Sequence, residues 1–281
     1  MMYVFFNSRQ HVEENTKSFS PSANKPELVV KSWQKLGMPL KIMDVKPLTA
    51  EEISLAHDPD YVNGVLAGDI PNGFGSTSKN IAESLRWTNG SFVSTSIYSL
   101  LNKVNTFSPT SGFHHAHYAN ALGYCTFCGL TIAGIILHKN YKAKKIGIID
   151  FDTHHGNGTK DTIEKTESFF IKQYSLGYRT LSRQNKKRWL KRLDSIIKQN
   201  FSDTDIVFYQ AGMDSHENDP LVTNGYFNDE EIYKRDKIVF QSCKDMSVPV
   251  VSNLAGGYQK PIQKIIDLHD LTAKAFYSVF A

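Results

Sequence analysis

Ile146-Gly147-Ile148-Ile149-Asp150-Phe151-Asp152-Thr153-His154-His155-Gly156-Asn157-Gly158 decides how this chain is read. Its first half is an apolar run of the kind that fills a strand buried on both faces. Its second half turns polar and ends in glycines, which let the backbone bend sharply into a helix expected from about Thr159. Period-2 geometry puts Asp150, Asp152 and His154 on one face if the strand persists that far. Two carboxylates and an imidazole at a buried strand end repel one another or stay unpaired. A divalent cation resolves this, because Asp and His are zinc ligands at about 2.0–2.2 Å.

Outward from this stretch, short apolar strands alternate with amphipathic helices. Strands are expected at 3–6, 41–44, 145–150, 169–174, 205–210 and 249–254, with a brief one at 107–109. Helices are expected over 26–36, 50–66 with a break at Asp58-Pro59, 89–102, 119–138, 183–199, 229–243 and 262–280. Residues 71–78 are rich in turn formers and read as a loop. This order predicts an α/β fold, a three-layer αβα arrangement around a central, mostly parallel sheet. No repeat, low-complexity tract or linker interrupts it, so residues 1–281 are expected to form a single domain.

In such sheets ligands sit beyond the carboxyl ends of the strands. Polar clusters follow strands there at 111–117, 150–157, 210–219 and 255–259. A catalytic metal site commonly keeps three protein ligands and one open position. Gln210-Ala211-Gly212-Met213-Asp214 supplies a third ligand, Asp214, after a strand and a glycine turn. His114-His115 lies in a loop, where adjacent imidazoles point different ways, and a neutral imidazole suits acid–base work. Gly256-Gly257-Tyr258 ends the last strand, and a phenol presented by such a turn can stabilise an oxyanion.

Bulk composition narrows the function classes. The 281 residues are 41% hydrophobic, ample for one large core, and 12% aromatic, with 17 Phe and 13 Tyr. A net charge of +4 falls well short of a nucleic-acid-binding pattern. The densest basic run, Lys186-Lys187-Arg188 with Lys191 and Arg192, is interleaved with Trp189, Leu190, Leu193, Ile196 and Ile197, so it reads as the wet face of an amphipathic helix. Three cysteines, Cys125, Cys128 and Cys243, argue against a disulfide framework and fit a reducing compartment. The CxxC pair Cys125–Cys128 has no second ligand pair nearby and is expected to be two small buried residues. No signal peptide or membrane-spanning stretch is read, so a cytoplasmic protein that binds no membrane is the expectation.

Together the motifs Gly-Phe-His114-His115-Ala, Gly123-Tyr124-Cys125, Asp150-Phe-Asp152-Thr-His154-His155-Gly-Asn157-Gly, Gln-Ala-Gly-Met-Asp214 and Ala-Gly-Gly-Tyr258 resemble the arginase/deacetylase superfamily. Their order and approximate spacing are similar to those of histone deacetylases and their bacterial relatives, from about Lys25 to Gln259. The resemblance implies that Asp152, His154 and Asp214 hold zinc, with ferrous iron an alternative. It implies that His115 is the general base and then acid, that His114 contributes electrostatically, and that Asp150 orients His114 while Asn157 orients His115. Tyr258 would polarise the scissile carbonyl, Gly123 and Tyr124 would wall the acyl-lysine channel, and a structural potassium would sit near Asp150, Asp152 and His154.

The departures from that pattern are informative. Asn157 stands where many members carry Asp, so His115 lacks an anion to stabilise its imidazolium form and is expected to deprotonate more easily. Cys128 replaces a common Asn. The span 158–214 is short and lacks a Gly-rich loop, which leaves Tyr174 and Tyr178 as candidates for a second channel aromatic. The shortening is similar to class IV and short bacterial members, a branch that implies tolerance of longer acyl chains. Leu221, in Asp219-Pro220-Leu221, cannot hold a second ammonium, which favours an acyl-lysine in a protein or peptide over an acetylated polyamine or other small amine. Two other functions remain open at this point: a binding module that reads acyl groups without hydrolysing them, and a two-metal guanidino hydrolase. Oligomeric state is not legible.

Overall fold

The computed structural model describes residues 1–12 and 18–281. Seven strands form one sheet: β1 (Met2–Phe5), β2 (Leu40–Met43), β3 (Thr106–Phe107), β4 (Ile146–Asp150), β5 (Ile171–Ser175), β6 (Ile206–Gln210) and β7 (Val250–Asn253). Their order is β2-β1-β3-β7-β6-β4-β5. Every pairing is parallel. β4, β6 and β7 are buried at every residue, which is why β4 and β6 are apolar up to their last residue.

The helices among the described residues are α1 (Lys25–Lys35), α2 (Ala50–Ile53), α3 (Pro59–Ala67), α4 (Lys79–Asn102), α5 (Gly129–Tyr141), α6 (Asn157–Lys165), α7 (Lys186–Phe201), α8 (Asp229–Met246) and α9 (Gln263–Phe280). They cover both faces of the sheet. On one face Trp33 of α1, Leu193 of α7, Phe240 of α8 and Phe276 of α9 pack against Phe107, Val207 and Tyr209. On the other, Val62 of α3, Phe92 of α4 and Ile132 of α5 pack against Ile146, Ile148, Phe208 and Val251. This is the three-layer αβα arrangement, with a sheet that is wholly parallel. No helix among the described residues is long and apolar enough to cross a membrane.

Three expectations change. The helix expected over 119–138 is a loop until Cys128, with α5 starting at Gly129. Gly123 and Tyr124 both take left-handed backbone angles there, φ 54° and 63°, which a helix cannot accommodate and which cost a non-glycine residue about 1–3 kcal/mol. The helix expected over 89–102 begins ten residues earlier, at Lys79, where the Ser78 hydroxyl accepts from the Ile81 N–H. Lys186 is not on the wet face of α7: it is buried, and its Nζ donates to Glu231 at 2.5 Å and to the Tyr226 carbonyl at 2.6 Å. Lys187, Arg188, Lys191 and Arg192 are exposed as expected. All three cysteines are buried and unpaired.

Candidate metal centre and its surroundings

The carboxyl ends of the adjacent strands β4 and β6 bring the polar clusters together. Asp150 pairs in register with Gln210, whose Nε2 donates to Asp150 Oδ1 at 3.3 Å. Beyond this row the chain leaves both strands, and Asp152 and Asp214 turn toward each other, 1% and 0% exposed. His154 closes the group, its Nδ1 3.0 Å from Asp152 Oδ1 and 3.2 Å from Asp214 Oδ2. One ligand atom from each of the three lies within 4.8 Å of the others.

The backbone is built around these carboxylates. Asp152 Oδ1 accepts from the His154 N–H and Oδ2 from the Gly256 N–H, both at 3.0 Å. Asp214 Oδ1 accepts from the Thr153 N–H at 3.0 Å. Gly256 has to be glycine, because a Cβ there would sit 2.3 Å from Asp214 Oδ2 and 2.5 Å from Asp152 Oδ2. Asp214 Oδ2 itself is buried, and among the described residues no donor is properly directed at it. Burial and the neighbouring charge of Asp152 push the Asp214 carboxyl up from its ordinary range. Burial also acts on Asp152, but His114 and His154 outweigh it and hold that carboxyl well below its usual range. Two buried carboxylates, one with an unserved oxygen, and an imidazole turned toward both are a donor set that fits a divalent cation.

His114 and His115 stand beside this group with their rings 4.1 Å apart. His114 Nδ1 is 3.0 Å from Asp150 Oδ2, and its Nε2 is 3.6 Å from Asp152 Oδ1. Burial works against its charge, but Asp152 and Asp150 prevail and raise its pKa to about 9. His115 behaves oppositely. Burial and the neighbouring His114 lower its pKa to about 4, opposed by its contact with Asn157. That contact is 2.6 Å between His115 Nδ1 and Asn157 Oδ1, an oxygen that also accepts from the Gly158 N–H at 3.0 Å. The acceptor therefore faces the ring, so Nδ1 carries the proton and Nε2 keeps its lone pair.

Tyr258 follows the left-handed Gly257, and its backbone N–H donates to Asp219 Oδ2 at 2.7 Å. Burial, then Asp152 and Asp214, push the phenol well above its ordinary pKa, so it stays protonated. Gly112, His114, Gly123, Tyr124, Asp152 and Tyr258 border a cavity of about 10 Å³, room for one occupant the size of a water. Gly123 presses on His115: a Cβ there would be 2.7 Å from its ring. Leu221 is half-buried in the turn held by Asp219, its N–H donating to Asp219 Oδ1 at 3.0 Å, and lies outside that lining.

Neither aromatic candidate stands at the cavity. Tyr174 is buried, its hydroxyl accepting from Trp189 at 3.1 Å. Tyr178 is exposed and packs on His155 at 5.0 Å, on a separate groove of about 400 Å³. Phe19 stacks on Tyr258 at 5.8 Å, and Phe74 lies 6.1 Å from Tyr124. Sequence reading also missed Lys25, fully buried with its Nζ 2.5 Å from the Ala255 carbonyl. Pro26 at the start of a helix was legible, but the partner 230 residues away was not.

Comparison with known proteins gives the family and the fold. The histone deacetylase domain model matches residues 20–178. An uncharacterized protein of Picosynechococcus sp. is 25% identical over 251 residues, 81% of this chain and 82% of that protein. Histone deacetylase 2 of Arabidopsis thaliana is 26% identical over 174 residues, 55% of this chain but 44% of that protein. Among solved structures, the HDA15 HD domain superposes with a TM-score of 0.77 at 18% identity, covering 99% of this chain and 89% of that one. The acetylpolyamine aminohydrolase of Burkholderia pseudomallei gives 0.76 at 13% identity, covering 99% of both. At those identities the structural matches speak for the fold.

Proposed function

The chain belongs to the histone deacetylase domain family, and from that premise we propose that it is a metal-dependent hydrolase that removes an acyl group from a lysine side chain. The observation that carries this reading is the buried, unserved Asp214 Oδ2 facing Asp152 and His154 beside a histidine pair and a protonated tyrosine. Asp152, His154 and Asp214 would hold zinc, or ferrous iron. When bound there, the ion supplies Lewis acidity to the carbonyl and lowers the pKa of water toward about 7.

The chain's own groups do the rest. Asn157 fixes the proton of His115 on Nδ1, and Nε2 takes the proton of the attacking water. His115 then delivers it to the leaving amine. His114, held charged between Asp150 and Asp152, adds positive potential where negative charge develops. The Tyr258 O–H donates to the oxyanion, an interaction worth about 10²–10³ in turnover. Gly123 and Tyr124 wall the path of the acyl group. The lack of an acidic side chain at Leu221 favours a lysine side chain over a polyamine, whose second ammonium would find no partner at that position.

The test is turnover by the purified chain, loaded with zinc, on peptides carrying acetyl- and longer acyl-lysine, beside N-acetylated polyamines. Hydrolysis of the peptides, abolished by a chelator and restored by metal, is expected. Stoichiometric metal with no turnover on any of these amides would favour the acyl-binding module and end the hydrolase reading.

A further inference from the structure

Arg235, in the second turn of α8, is fully buried. Its Nη1 donates to the Gly212 carbonyl and to Ser215 Oγ, both at 2.8 Å, and lies 3.5 Å from the Phe151 carbonyl. Its Nε donates to Asp236 at 2.7 Å. Asp236 is in turn held by the hydroxyls of Tyr209 and Thr272. The rings of Phe151 and Phe227 each stand 5.9 Å from the guanidinium carbon.

These partners are not scattered. Phe151 precedes Asp152 on the stretch leaving β4, and Gly212 and Ser215 flank Asp214 on the turn leaving β6. The two stretches pass so closely that a Cβ on Gly212 would lie 2.6 Å from the Asp152 Cα. A buried ion pair gives no stability advantage over apolar packing of the same volume, so a fully desolvated guanidinium calls for a use that apolar atoms cannot serve. A planar group serves one: with Nε fixed on Asp236 and Nη2 without a hydrogen-bond partner among the described residues, the single Nη1 is aimed between the two carbonyl-bearing turns and sets their distance.

We infer that Arg235 is a positioning residue that fixes the separation of the two turns bearing Asp152, His154 and Asp214, and thereby sets metal affinity. This rests on the proposed metal site. Arg235 touches neither metal nor substrate; it acts through the Gly212 and Phe151 carbonyls. Asp236, Tyr209 and Thr272 keep the guanidinium neutralised and aimed.

The experiment measures Zn²⁺ affinity by competition with a chromogenic chelator, with apo-protein Tm alongside. Arg235→Lys keeps a charge for Asp236 but cannot fork. Arg235→Met with Asp236→Asn removes both charges, so no buried carboxylate is left unpaired. Val239→Ala, one turn further along the same helix and fully buried, is the control for loss of packing. Both Arg235 variants are expected to bind Zn²⁺ about 10–100-fold more weakly, the usual loss for an outer residue that orients ligands. Val239→Ala is expected to lower Tm without weakening Zn²⁺ binding. Folded Arg235 variants that bind Zn²⁺ as tightly as the wild type overturn this inference alone. A wild type that binds no Zn²⁺ takes the proposed metal site down with it.

Discussion

Replacing Asn157 with Asp restores a charge beside His115 without changing shape, and its effect can be worked from one contact. His115 Nδ1 lies 2.6 Å from Asn157 Oδ1, and with a neutral amide there the imidazole has its pKa lowered to about 4 by burial and by His114. A carboxylate in the same place stabilises the imidazolium, so the pKa rises. Contact with an opposite charge is worth about 1–3 pH units, and a pair 4 Å apart at an effective dielectric of 20 interacts by about 4 kcal/mol, near the top of that range. The acid limb of kcat/KM should therefore move from about pH 4 to about pH 5–7. At pH 5 the variant should lose between about twofold and about 100-fold, while at pH 8 it stays close to wild type. The assay is kcat/KM on an acyl-lysine peptide from pH 4 to 9 at saturating zinc, with circular dichroism to confirm folding. Superimposable acid limbs would refute the assignment of His115 as the group that must be neutral.

Tyr258→Phe should cut kcat by about 10²–10³ and leave Tm unchanged, because among the described residues its hydroxyl serves no hydrogen bond; full activity on acyl-lysine peptides would remove the tyrosine from the mechanism. Acid should destabilise the protein through His57, whose Nε2 accepts from the Cys128 N–H at 2.8 Å and whose Nδ1 lies 2.9 Å from the His117 carbonyl. Burial lowers its pKa to about 4, so as pH falls through 6.5 the unfolded chain takes up a proton that the folded chain refuses. The stability lost between about pH 6.5 and 4 should reach about 3 kcal/mol. Denaturant midpoints at pH 7 and 4.5 check this, and a His57→Gln variant with the wild-type slope would contradict it.

The parts legible in the sequence share a physical origin. β4, β6 and β7 are buried on both faces, so β4 and β6 are apolar up to their last residue and β7 opens on Val250-Val251, and each ends where the chain must present polar groups. Asp152, His154, Asp214 and Tyr258 were legible as polar residues beyond those ends, while the histidine pair lies beyond the two-residue β3. The 119–138 stretch misled because its apolar residues suit a buried helix, whereas the left-handed Gly123 and Tyr124 answer to a tertiary demand, close passage over His115. The start of α4 was hidden by polar residues in its first turns, although Ser78 was a usable cap signal. Phe19, Lys25 and Arg235 owe their surroundings to partners distant in sequence, such as Ala255 for Lys25 and Gly212 for Arg235, and no local pattern carries that information.

The most direct measurement is metal content. Wild-type protein, stripped with a chelator and reloaded with zinc, should hold one ion per chain by elemental analysis, and Asp214→Ala or Asp152→Ala should hold far less while remaining folded. One tightly bound zinc in either variant, or none in the wild type, would contradict the account.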